Sequence, residues 1–148
     1  RRFMRALLQR VSRAAVDIDG ECVAGIGPGL LVLLGLDRDD DKPAADRMLD
    51  RLLAYRVFAD ASGRMNSSVS DVGGGVLLVS QFTLSADTRR GLRPSFSSAM
   101  APEEAGPLYD YMVARLRERH GDVGAGVFGA SMQVSLVNDG PVTFLLES

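Results

Sequence analysis

The chain has 148 residues, 46% hydrophobic and 24% charged, with a formal net charge of −2; this is the make-up of one globular domain, not of a disordered tail. Proteins that grip nucleic acid through many phosphates are usually basic, because counterion release supplies much of their affinity, so no DNA partner is expected and RNA contact should be confined to a small local patch. Cys22 and His120 are each alone in the sequence, which leaves no intrachain disulfide and no cysteine cage for a metal, and any histidine-ligated site would have to be built around His120; no metal is expected, and no cofactor.

Residues 1–3 read as a tag or upstream remnant before a start at Met4. No basic stretch leads into an apolar segment and a small-residue cleavage site, and no apolar run approaches the ~20 residues of a membrane span, so cytoplasmic residence and no membrane partner are expected. Residues 4–12 and 14–18 have strand composition, and Asp19-Gly20 supplies a tight hairpin turn into an antiparallel strand over 21–26. Gly27-Pro28-Gly29 punctuates. Residues 30–36 are an apolar run of buried-strand length.

Asp39-Asp40-Asp41 offers an N-cap, Pro43 suits a first helical turn, and Ala45, Met48, Leu49, Leu52 and Leu53 form one apolar helical stripe. Asp60-Ala61-Ser62-Gly63 reads as a turn and 64–75 as loop. Residues 76–84 read as a strand with a polar end, and 85–101 as a long ordered loop. A second helix spans 102–119, with Ala105, Leu108, Tyr109, Met112, Val113 and Leu116 as its stripe and Gly121 as a stop. Residues 128–137 alternate as a strand, Asn138-Asp139-Gly140-Pro141 breaks it, and 142–146 make a final strand. The expected fold is α+β: a mainly antiparallel, barrel-like sheet with two main helices, in one domain over 4–148. Helices can cover one face of such a sheet; the other needs a lid or a partner chain.

Three stretches could carry chemistry. Ser80-Gln81-Phe82-Thr83-Leu84 puts polar residues where a strand core should still be apolar. The residues alone allow simple alternation at a strand end, or hydroxyls, the Gln81 amide and backbone N–H groups placed around a substrate carbonyl. Neither hydroxyl has an evident activating base, since the lone histidine sits at the end of a helix, so a side-chain nucleophile is poorly supported. Asn138-Asp139-Gly140-Pro141-Val142-Thr143 is either a surface turn or a rigid device that aims backbone carbonyls in one direction. Arg89, Arg90 and Arg93 are either a solvated loop or a phosphate contact at a site mouth.

Together, Ser80-Gln81-Phe82-Thr83-Leu84 and Asn138-Asp139-Gly140-Pro141-Val142-Thr143, about 60 residues apart, resemble the two signatures of the D-aminoacyl-tRNA deacylase family. Gln9-Arg10-Val11, Arg64-Met65-Asn66, Arg93-Pro94-Ser95-Phe96 and Phe128-Gly129-Ala130 extend the resemblance over nearly the whole chain. One departure is Ser131, where that pattern has an acidic residue. The resemblance implies hydrolysis of D-aminoacyl-tRNA, and of glycyl-tRNA mischarged on tRNA(Ala), by a homodimer with active sites at its interface. Ser80, Gln81, Phe82 and Thr83 would be the catalytic segment. Gly140 and Pro141, joined by a cis peptide and flanked by Asn138, would reach in from the other subunit, with Arg10 holding them. Phe128 and Met132 would wall the pocket, and Arg89, Arg90 and Arg93 would meet the acceptor end of the tRNA. Two rivals remain on the residues alone: an esterase with Ser80 or Thr83 as nucleophile, and a non-enzymatic dimeric tRNA-binding module.

Overall fold

A computed structural model describes residues 3–148; of the supposed remnant, residues 1 and 2 lie outside the described part. The two strands expected over 4–12 and 14–18 are one, β1 (Arg5–Ile18). Ser12 and Arg13 are both exposed between buried Val11 and Ala14, and the register against the neighbouring strand shifts there. The polar pair therefore marks a bulge that bends the strand without ending it. Asp19 (φ 50°) and Gly20 (φ 81°) turn the chain into β2 (Glu21–Ile26), as expected.

β3 (Gly29–Gly35) pairs antiparallel with the first half of β1 and parallel with β6 (Gly75–Ser80), which pairs parallel with β7 (Val123–Ala125). β8 (Gln133–Glu147) lies antiparallel along nearly all of β1. The sheet is thus mainly antiparallel, as expected, being built around β1, with a smaller parallel part across β3, β6 and β7. The physical sign of it was the solid apolar runs of β3 and β6, which lack alternation because both of their faces are buried. Parallel neighbours need crossovers, and the helices supply them: α1 (Lys42–Ala54) lies between β3 and β6, and α3 (Pro102–Arg119) between β6 and β7. Asp41 caps α1 by accepting from the Ala44 N–H at 2.9 Å, and both predicted apolar stripes are buried.

The stretch read as turn and loop over 60–75 holds more order than expected. β5 (Met65–Ser67) within it pairs with β4 (Phe58–Ala59) just before it as a short hairpin, and one turn of helix follows, α2 (Val69–Val72). Ser68 and Asp71 cap that turn reciprocally, at 3.0 and 2.9 Å, a side-chain arrangement that stabilises a helix too short to show periodicity.

The two faces of the sheet bury separate cores. Ala6, Leu8, Leu30, Val32, Val76 and Leu78 face the helices. Val11, Ala14, Val16, Leu31, Leu77 and Val79 point the other way, where Met132, Val134 and Leu136 close over them. The sheet curls until its own 132–136 segment covers its second face, which gives the barrel-like shape. Among the described residues no helix is long and apolar enough to cross a membrane.

Candidate active site

The expected strand over 76–84 stops at Ser80, and residues Phe82–Ser85 form a 3-10 turn. The parallel ladder ends at Leu34 opposite Ser80 because β3 itself ends one residue later. Gln81 N–H makes a last bond to the Leu34 carbonyl at 2.7 Å, and the chain then folds over Gly35. A Cβ on Gly35 would lie 2.9 Å from Leu84 Cβ and 3.1 Å from Ser85 Oγ, so only glycine lets the turn settle against the strand.

Side chains then fix the turn. Buried Ser85 donates to the Leu36 carbonyl at 3.2 Å, buried Ser98 donates to the Ser85 carbonyl at 3.1 Å, and Arg5 Nη1 donates to the Leu84 carbonyl at 2.7 Å. Simple alternation of Ser80 and Phe82 against Gln81 and Thr83 therefore does not describe these residues. Gln81 instead donates to Thr83 Oγ1 at 2.5 Å within the turn. The N–H groups of Phe82 and Thr83 open the turn, where no preceding carbonyl of the same turn can accept from them.

Beside this turn lies a cavity of about 630 Å³, lined by Ser80, Gln81 and Phe82, by Phe96, Met100, Pro102 and Ala105, and by Phe128, Met132 and Val134 among others. Phe128 and Met132 stand on its wall, but residues 128–132 are not strand; β8 begins at Gln133. The Tyr109 ring backs Phe128 at 6.1 Å between centroids. Its buried hydroxyl lies 2.9 Å from the Leu78 carbonyl and 2.7 Å from that of Gly126, and burial raises the phenol pKa so that it stays a donor. Phe96, Met100, Ala105 and Val134 also line the cavity, without any local mark in the sequence. Their segments look like loop, helix stripe and strand, and only packing turns them towards a common space.

Gly140 and Pro141 do not break the final strand. β8 runs through them with a register shift against β1, and their peptide is cis. Gly140 has φ +140°, and a Cβ there would sit 2.6 Å from Val142 Cγ2 and 2.9 Å from Val142 N. Asn138 clips the segment from within: its Oδ1 accepts from the Val142 N–H at 3.0 Å and its amide donates to Thr143 Oγ1 at 2.9 Å. Arg10 clips it from β1, with Nε donating to the Asp139 carbonyl at 3.0 Å and Nη1 to the Val57 carbonyl at 2.8 Å. None of Arg10, Asn138, Gly140 and Pro141 lines the cavity of the same chain. The structure thus gathers Ser80, Gln81, Phe82, Phe128 and Met132 on one cavity; Thr83, the fourth residue of the expected catalytic segment, is not on its wall, and the Gly140-Pro141 group is set apart.

Residues 7–147 match the family model of D-Tyr-tRNA(Tyr) deacylase. The chain belongs to that family. It is 61% identical over 145 residues to the D-aminoacyl-tRNA deacylase of Stutzerimonas stutzeri (strain A1501), covering 98% of this chain and 100% of the relative. A solved structure of a c-Myc DNA unwinding element binding protein shares 41% identity at a TM-score of 0.93, covering 97% of this chain and 98% of that one. A probable eukaryotic D-amino acid tRNA deacylase, 18% identical, superposes with a TM-score of 0.85 over 99% and 100% of the two chains and speaks for the fold alone.

In this member of the deacylase family, the cavity holds no base suited to a serine or threonine nucleophile. His120 Nε2 lies 2.6 Å from the Gly74 carbonyl, and His120 is not among the cavity-lining residues. The arginine loop starts just past the 3-10 turn. Its two ends are tied by mutual backbone bonds between Asp87 and Ser95, at 2.7 and 3.0 Å. Arg89 is held by the Asp87 carboxylate at 2.8 Å, while Arg90 and Arg93 are exposed. Among the described residues no group of acidic, histidine and cysteine side chains could hold a metal ion.

Proposed function

We propose that this chain hydrolyses the ester joining a D-amino acid to tRNA, as a homodimer in the cytoplasm, over the single domain 4–148. The observation that carries the reading is the incomplete cavity. The family's first motif opens into it, while the second is clipped firmly by Arg10 and Asn138 yet lies outside its wall, as expected if a second copy supplies that wall. The ester is already activated, so positioning and oxyanion stabilisation can suffice without a triad. Water adds to the ester carbonyl, and the backbone N–H groups of Phe82 and Thr83 hold the oxyanion. The tetrahedral species then expels the ribose oxygen of the terminal adenosine, and the neighbouring ribose hydroxyl relays the proton. The products are free D-amino acid and tRNA.

Chirality is enforced by exclusion: an L-side chain meets the partner's Gly140 and Pro141 carbonyls, and a D-side chain points away from them. Glycine has no side chain to clash, so glycyl-tRNA mischarged on tRNA(Ala) is also cleaved. The deciding experiment follows deacylation of D-tyrosyl-, L-tyrosyl- and glycyl-tRNA by purified protein. Loss of the D and glycyl esters with the L ester intact is expected. Resistance of glycyl-tRNA alongside cleavage of the D ester would refute exclusion, and resistance of all three would leave a tRNA-binding module. With water as nucleophile, Ser80→Ala and Thr83→Ala keep turnover within about tenfold, whereas removal of a true nucleophile costs orders of magnitude more.

A further inference from the structure

Two exposed aromatic rings lie together at the cavity. Phe82 is 59% exposed and Phe96 is 38% exposed. Their centroids are 5.1 Å apart with the planes tilted by 54°, so they make one continuous apolar step instead of sinking into the core. Both line the cavity, and Phe82 belongs to the tightly pinned 3-10 turn. The chain between them is the arginine loop, closed at its root by the Asp87–Ser95 pair. The rings therefore stand at the foot of a loop that carries Arg89, Arg90 and Arg93.

We propose that the Phe82–Phe96 pair is a stacking platform for an unpaired nucleobase, the one preceding the esterified terminal nucleotide of the tRNA. The inference rests on the deacylase reading, which assigns the cavity to the terminal adenosine and its aminoacyl group. The next nucleotide then leaves across the rim, with its base over the rings and its phosphate towards Arg90 and Arg93. An aromatic face beside a cationic strip is the pairing by which proteins hold single-stranded nucleic acid without reading its sequence: every base offers a π-face, and the charge follows the backbone. The acidic overall composition is compatible with this, because one base and one or two phosphates need only a local patch.

The test compares 3′-O-D-tyrosyl-adenosine with the same ester on the dinucleotide cytidylyl-adenosine, in the wild type, Phe96→Leu and Phe96→Trp. The wild type should gain about tenfold in kcat/KM from the added nucleotide, largely through KM, in line with the worth of a base–aromatic stack. That gain should shrink to about twofold or less in Phe96→Leu and survive in Phe96→Trp, which keeps an aromatic face. With an abasic penultimate nucleotide the wild type should behave like Phe96→Leu, a check that needs no variant to fold. Absence of the gain in a wild type that still cleaves D-tyrosyl-tRNA would overturn the platform and leave the deacylase reading standing. An equal gain in wild type and Phe96→Leu would also overturn it. So would conversion of a dimer to a monomer by Phe96→Leu on size exclusion, which would assign the rings to contact between copies. Failure to cleave D-tyrosyl-tRNA itself would sink both readings.

Discussion

The 80–85 turn and the 138–143 segment carry the two family motifs, and they are built in opposite ways. The first is a strand end that folds away from its ladder, leaving N–H groups of Phe82 and Thr83 unused by the turn beside a largely apolar recess. The second stays within a strand, and side chains from two directions satisfy and immobilise it: Asn138 from within and Arg10 from β1. On the proposed function, one region is a receptacle and the other a fixed probe. A receptacle works by leaving donors available, whereas a probe works by having no freedom left, so the polar residues around the two serve contrary ends.

The largest effect should come from deforming the 138–143 segment. Gly140→Ala introduces a Cβ 2.6 Å from Val142 Cγ2 at a φ of +140°. Deacylation of D-tyrosyl-tRNA should fall by about a hundredfold or more with circular dichroism unchanged, because a misplacement of ~1 Å costs about that much. Mixing this variant with one whose cavity is blocked, Ala105→Trp, should restore up to about a quarter of wild-type activity if receptacle and probe belong to different subunits, since half the dimers are mixed and each holds one intact site. No recovery on mixing would place both on one chain.

Arg10→Ala removes the external clip but leaves Asn138, so a smaller loss, about tenfold in kcat/KM, is expected together with ~1–3 kcal/mol of stability measured by urea unfolding. Arg10→Lys should recover little, because one ammonium cannot reproduce the fork to the Asp139 and Val57 carbonyls. Replacing Arg89, Arg90 and Arg93 together with Ala should raise KM for charged tRNA several-fold and flatten its dependence on salt, with kcat nearly unchanged. Unaltered KM would remove the loop from the tRNA contact.

The smallest effect concerns the support of the receptacle. The Leu36–Arg38 stretch anchors the cavity wall through Met100 N–H to the Leu36 carbonyl and Arg38 N–H to the Ser98 carbonyl, both at 3.0 Å. Asp40 folds back on it, accepting from the Asp37 N–H at 2.8 Å. Burial, reinforced by the charges of Asp37 and Asp41, pushes the Asp40 carboxyl up to about 6. A raised carboxyl favours the folded state in its protonated form, so that contribution is whole below the ordinary value near 4 and is lost as pH rises through 6. Asp40 is half-buried, so solvent screening reduces the effect to about 1 kcal/mol. Asp40→Asn should therefore be about that much more stable than wild type at pH 7.5, and the gap should close towards pH 4. A gap that widened on acidification would refute the assignment.

Local chemistry sufficed for much of the fold. The Asp19-Gly20 hairpin, the capped stripe of α1, the stripe of α3 and the buried run of β3 each depend on residues within a few positions of one another, so periodicity and turn propensity disclose them. The family motifs were legible for the same reason, being short contiguous strings. Other features depend on distant neighbours. Ser80 ends its strand because β3 runs out beside it and Gly35 leaves room. Pro141 does not end β8, because β1 continues to pair on either side of a register shift. Phe96, Met100, Ala105 and Val134 line one cavity because three separate segments converge, and the exposure of Phe82 and Phe96 follows from that convergence. Closure of the sheet by residues 132–136 and separation of the two motifs within one chain are likewise consequences of pairing register, a long-range property that no window of sequence contains.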